Sequence, residues 1–294
     1  MTATYFAHAN LNTADLRKAE AFYCNGLGLS VLGRTETAIG QDGTPFALAD
    51  REVHWRGAFL ADERGRKGPV VDLLQWTAPP TEAIATQVRR RAGLAALSFL
   101  VGDLDATAEK LVRHGGRPQR CVEEHGGERQ ETVWATDPDG SWVHLRAGER
   151  YPRFDGIRVV AHDLPATIDF YRGVVGLEIE PPVPYRISSE GRDVEAGRVA
   201  RAYLPGQRDK FHLDLVQTDT GTLPNRRRGN HAGIYRMALL VDDIEAAHAH
   251  LARRMDAVPA PVYPDIGGGY GPVPAIFFAD PNGAVVEYLV GVLK

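Results

Sequence analysis

The sequence predicts an α+β fold in which repeated βαβββ modules form curved mixed sheets with helices on one side. Three observations carry this. A strand followed by an acidic residue and then a helix opens four times, at Asp15, Asp103, Asp163 and Asp243. Two turns of the form Asp-Pro-x-Gly, at residues 137–140 and 280–283, each precede an apolar, β-branched or aromatic segment. Residues 8–29 are echoed by residues 156–177, where Asp163-Leu164, Phe170-Tyr171 and Gly176-Leu177 repeat Asp15-Leu16, Phe22-Tyr23 and Gly28-Leu29.

The first module begins with Tyr5, Ala7, Ala9 and Leu11 alternating with Phe6, His8, Asn10 and Asn12, the period of a strand. Asp15 can then accept the unpaired amide protons of a first helical turn. Leu16, Ala19, Phe22 and Tyr23 share a helical face, and Gly26 or Gly28 allows the exit. Strands are predicted near 29–34, 55–61 and 69–76, and Ala78-Pro79-Pro80 ends the pattern. The second module has a strand at 95–101, a helix from Asp103-Leu104 to Gly115-Gly116, and a last strand at 141–145 after the first Asp-Pro-x-Gly turn. Residues 147–155 are charged, contain a proline and lack periodicity, which divides the chain into 1–148 and 154–294. The third module starts at Gly156 and ends in 212–217, whose Leu-Asp-Leu-Val-Gln resembles the Val-Asp-Leu-Leu-Gln of 71–75. Residues 218–230 are polar, and the run Arg226-Arg227-Arg228 is most simply a solvated connector. The fourth module has a strand at 235–241, a helix opened by Asp243-Ile244 and a final strand at 284–289.

With 294 residues the chain can bury two ordinary cores. A net charge of −4 supplies no field that draws nucleic acid or an anionic membrane. The first residues lack a signal-peptide pattern and no apolar run is long enough to span a bilayer. Cys24 and Cys121 are too few for a disulfide framework or a structural zinc site. These features predict a cytoplasmic protein.

The strand ahead of Asp-Leu-x-x-Ala-x-x-Phe-Tyr, the Leu-Gly-Leu exit and the Asp-Pro-Asp-Gly turn resemble the vicinal oxygen chelate superfamily, the fold of glyoxalases, bleomycin-resistance proteins and extradiol dioxygenases. The resemblance covers nearly the whole chain as two tandem domains, and it implies that paired modules form half-open barrels with a concave floor. It also implies inward-facing metal ligands on the first and last strand of each module, the first of them seven residues before the helix-opening acid. Those first-strand positions are His8, Ala96, Gly156 and Arg236; the last-strand positions are Asp72, His144, Asp214 and Glu287.

Within the first half, His8, Asp72 and His144 are then the implied metal ligands. Imidazole and carboxylate donors suit iron, zinc, manganese or nickel in the divalent state. A metal gripping adjacent oxygens of a small-molecule substrate would stabilise an enolate-like charge, which points to an isomerase, lyase or oxygenase. The iron triad of two-domain extradiol dioxygenases, carried to the second half, falls on Gly156, Arg236 and Glu287, which makes ring cleavage there unexpected. The structural alternative is that His8 and His144 are hydrogen-bonded strand histidines. Arg236 cannot ligate a metal. It could clamp a carboxylate or phenolate ligand, or form an ion pair with Asp214 or Glu287 that closes a degenerate pocket. Some tandem relatives exchange modules, the first pairing with the fourth and the second with the third. His8, Asp72 and Glu287 would then meet beside Arg236, and His144 would meet Asp214. The rival function is a metal-free protein that sequesters an aromatic or antibiotic-like ligand, with Ala96 and Gly156 widening its cup. No nucleic-acid or membrane partner is expected, and a homodimer is one assembly the chain could form.

Overall fold

The computed structural model describes residues 3–83, 89–148, 150–225 and 228–291. Arg226 and Arg227 of the arginine run lie outside them. The first module comprises β1 (Tyr5–Asn12), α1 (Leu16–Ala21), β2 (Ser30–Glu36), β3 (His54–Ala61) and β4 (Val70–Ala78). The second has β5 (Gly93–Val101), α2 (Leu104–Arg113), β6 (Arg117–His125), β7 (Glu128–Thr136) and β8 (Trp142–Ala147). The third contains β9 (Arg153–Val160), α3 (Leu164–Phe170), β10 (Glu178–Ile179), β11 (Val183–Ser189), β12 (Arg192–Tyr203) and β13 (His212–Thr218). The fourth has β14 (Gly233–Leu240), α4 (Ile244–Ala252), β15 (Ala275–Ala279) and β16 (Val285–Leu289).

All four acids that open the helices are N-caps with extended backbone, and each carboxylate accepts the amide three residues on. After α1 and α3 the chain widens into a π-turn, over Phe22–Gly26 and Tyr171–Val175. That extra residue per turn buries both Phe22 and Tyr23. Tyr23 donates to Asp137 at 3.1 Å and Tyr171 to Asp280 at 3.0 Å, so each π-turn is tied to the Asp-Pro-x-Gly turn of the following module.

Of the two module pairings open to the sequence, the exchanged one forms. β1 pairs antiparallel with β14, giving a seven-stranded sheet ordered β15-β16-β14-β1-β4-β3-β2 from the first and fourth modules. β5 pairs antiparallel with β9, joining the second and third modules in a sheet ordered β10-β12-β11-β6-β7-β8-β5-β9-β13. Both halves of the tandem chain therefore contribute to both sheets. An additional β12–β13 pairing closes eight strands of the second sheet into a barrel, because the twelve-residue β12 reaches both β11 and β13.

The seven-stranded sheet stays open, and the reason lies in the fourth module, which has three strands where four were expected. Between α4 and β15, Pro259, Pro261, Pro264, Pro272 and Pro274 lack the amide a ladder needs, and the segment pairs through single bridges, Val262 with Ala275 and Asp265 with Pro272. One continuous apolar core runs through all four modules and includes Leu11, Tyr23, Leu97, Tyr171 and Leu239. Among the described residues no helix is long and apolar enough to cross a membrane.

Candidate ligand-binding site

The exchanged pairing brings four side chains to the floor of the open sheet. On β1, His8 and Asn10 are two residues apart and so face the same side. Asn10 is in register with both Asp72 of β4 and Arg236 of β14, while His8 is in register with Ala238, itself opposite Glu287 of β16. The result is one polar cluster. Arg236 Nε donates to Glu287 Oε2 at 2.7 Å and its Nη2 to Asp72 Oδ2 at 3.3 Å. Its Nη1 reaches Asn10 Oδ1 at 3.4 Å, and Asn10 Nδ2 donates to Asp72 Oδ2 at 3.0 Å. His8 Nε2 lies 3.2 Å from Glu287 Oε2 and 3.9 Å from Asp72 Oδ2.

All four corner side chains are at least nine-tenths buried, so their interactions are felt at low local dielectric. Burial pushes the Glu287 carboxyl upward, yet Arg236 and His8 outweigh it and hold the group below the usual carboxylate range. Burial likewise opposes the charge on Arg236, and Glu287 with Asp72 more than restores it. A guanidinium is thus fixed between the two carboxylates that would have to ligate a metal. A divalent ion does not fit these donors as arranged, since it would be packed against a cation that cannot lose its proton. Among the described residues no group of three or more His, Cys, Asp or Glu side chains is arranged to hold one.

Around this floor the walls are apolar. Phe46 packs edge-on against Trp55 with centroids 5.4 Å apart and tilts against Phe277 at the same distance. Leu74, Leu240, Val273 and Leu289 fill the spaces between, and Phe59 lies 6.3 Å from the His8 ring. The irregular segment of the fourth module forms the mouth through Pro264 and Ile266, and Tyr270 stacks edge-on Phe59 at 5.5 Å. Gly267 and Gly268 have positive φ and lie where an added Cβ would strike the Glu36 and Arg34 carbonyls, so this lip rests directly on the β2 backbone. The free cavity volume of the cup is about 40 Å³.

His144 does not join His8 and Asp72. It sits in the closed barrel, where its Nε2 is 3.2 Å from Glu123 Oε1 and its ring stacks on Trp134 with centroids 4.6 Å apart. The reason is the exchange of modules, which places β8 in the other sheet. Asp214 is in the same barrel but is held by Arg201 at 3.3 Å and His212 at 3.6 Å. A second buried guanidinium, Arg158, bonds Glu195 and lies over Trp134 and Tyr185. Ala96 and Gly156 do not widen a cup. Ala96 packs with Trp134 and Trp142, and a Cβ on Gly156 would meet His212 Nε2 at 2.9 Å. Asn10, Arg158, Glu123 and Glu195 were not singled out from sequence. Alternation alone could have found Asn10 and Arg158, each two residues beyond a position already marked.

The sequence profile described as "Glyoxalase/Bleomycin resistance protein/Dioxygenase superfamily" matches residues 5–145 and 153–288. The structure of glyoxalase I from Zea mays is similar at a TM-score of 0.69 and 17% identity, covering 97% of this chain and 92% of that one. A putative dioxygenase from Bacillus subtilis is similar at a TM-score of 0.64 and 16% identity, covering 98% of this chain and 86% of that one. At such identities the likeness shows a shared fold. No curated protein matches the sequence.

Proposed function

Because the chain belongs to the Glyoxalase/Bleomycin resistance protein/Dioxygenase superfamily, we propose that its open cup is the functional site and binds a small aromatic molecule without a metal. The observation that carries this reading is Arg236, bonded to both Glu287 and Asp72 where a metal would need those carboxylates. The aromatic walls support it, since a cavity lined by aromatics with a few converging polar groups is the usual form of a small-molecule site. The metal-dependent isomerase, lyase or oxygenase suggested by the resemblance would require Arg236 to leave its two partners. With a metal on those carboxylates the buried guanidinium would be left unpaired, which costs about 3–5 kcal/mol.

The cup's free volume of about 40 Å³ is too small for a ring, so in this reading a ligand enters by displacing the lip at Pro264 and Ile266. Protein purified without chelator, assayed for metal and then titrated with aromatic ligands by tryptophan fluorescence, tests the proposal. Trp55 in the wall and Trp76 behind it, with centroids 5.3 Å apart, report on the cup. Less than about a tenth of an equivalent of metal, with binding unchanged by chelator, is the expected outcome. Stoichiometric metal, lost together with binding in His8→Ala, would restore the metal-dependent reading.

A further inference from the structure

On the reading that the open cup is a metal-free binding site, we infer that its ligand is a small aromatic amine carried as the ammonium cation. The titratable groups that line the cup are His8, Asp72, Arg236 and Glu287. Two carboxylates against one guanidinium leave a net charge of −1 with His8 neutral and zero with His8 protonated. In neither state does the cup attract an anion, which sets aside the use of Arg236 as a clamp for a carboxylate or phenolate.

The bonding pattern points the same way. Three of the five guanidinium N–H groups of Arg236, one on each nitrogen, already donate, to Glu287, Asp72 and Asn10. On the acceptor side, Asp72 takes its side-chain bonds on Oδ2 and Glu287 on Oε2. Asp72 Oδ1 and Glu287 Oε1 accept none among the described residues. Two charged acceptors are therefore left at the floor for a ligand that brings N–H groups. The walls suit the same charge. Phe46 and Phe277 already present their faces to a cation, with the Arg236 guanidinium carbon 5.9 and 5.6 Å from their centroids. Size selects the head group. The cup's free volume of about 40 Å³ admits an ammonium group or a few waters as it stands, and the ring takes the space opened when the lip at Pro264 and Ile266 is displaced.

The test compares three probes that share a phenylethyl group, on the full chain at neutral pH and low salt: 2-phenylethylamine, 3-phenylpropanoate and 2-phenylethanol, titrated calorimetrically. The amine is expected to bind at least about tenfold more tightly than the carboxylate, with the alcohol between them. Asp72→Asn should weaken the amine about fivefold or more and leave the alcohol within about twofold. Equal binding of amine and alcohol, or tighter binding of the carboxylate, overturns the inference and leaves the binding reading in place. Binding of none of the three probes overturns both. The comparison of probes on the natural chain stands whether or not the variant folds.

Discussion

At the floor of the open cup Arg236 donates to both Glu287 and Asp72. Four inward corners meet at the floor of the open cup, and three carry groups able to ligate a metal. A guanidinium at the fourth satisfies the two carboxylates with directed hydrogen bonds and a permanent charge, so no ion is needed to offset them. This gives a residue-scale prediction. Arg236→His removes the cation and adds a neutral donor, completing a His-Asp-His-Glu set. The variant should bind about one equivalent of zinc or nickel, where the natural chain binds less than about a tenth. Metal analysis after dialysis against each ion decides it, and uptake equal in both proteins would mean that Arg236 is not what excludes the metal. His8, Asp72 and Arg236 are legible in the sequence as marked positions. Their meeting with Glu287 is legible only as one of two module pairings, because it depends on which strand lies beside β1.

Among the elements, the tie between each π-turn and the next module's Asp-Pro-x-Gly turn has a measurable pH signature. Asp137 is fully buried, and burial together with the neighbouring Asp139 pushes its carboxyl up to about 7, against the bonds from Ser141, Tyr23 and Asp139 amides and hydroxyl that favour the charge. A carboxyl whose folded pKa lies above its unfolded value binds more protons in the native state. Its contribution to stability is therefore fully present below the unfolded pKa and is lost as pH rises through about 7. Asp137→Asn should remove this component, so that the unfolding midpoint of the variant falls less than that of the natural chain between acid and neutral pH. An identical fall in both, measured by denaturant melts across that range, would show that Asp137 does not titrate there. The four caps were readable because capping is local: an acid, an amide three residues on, and an apolar face. The missing strand of the fourth module was less so. Its prolines are plain in the sequence, but their effect depends on whether the segment would have been a paired or an edge strand.

At the scale of the whole molecule, the exchange of modules makes the two halves interdependent. Residues 1–148 contain neither β14 nor β9, so that fragment alone leaves the paired edges of β1 and β5 uncovered. Expressed separately, residues 1–148 and 154–294 should each self-associate or fail to fold. Mixed, they should form a one-to-one complex with the tryptophan emission of the intact chain. A monomeric, folded fragment 1–148 in sedimentation and circular dichroism experiments would contradict this account.

The four modules, their caps and turns, the α+β class and the family can be read from the chain before folding, because each of these is written in local periodicity and short motifs. Which modules share a sheet is set by long-range packing. β1, β5, β9 and β14 are all apolar first strands of similar length, and pairing β1 with β14 rather than β5 is a choice among near-equivalent edges. No period or cap records that choice, since strand partnership is settled by packing summed over the whole interface. From it follow the separation of His144 from His8, the closed barrel beside the open cup, and the guanidinium at the cup's floor.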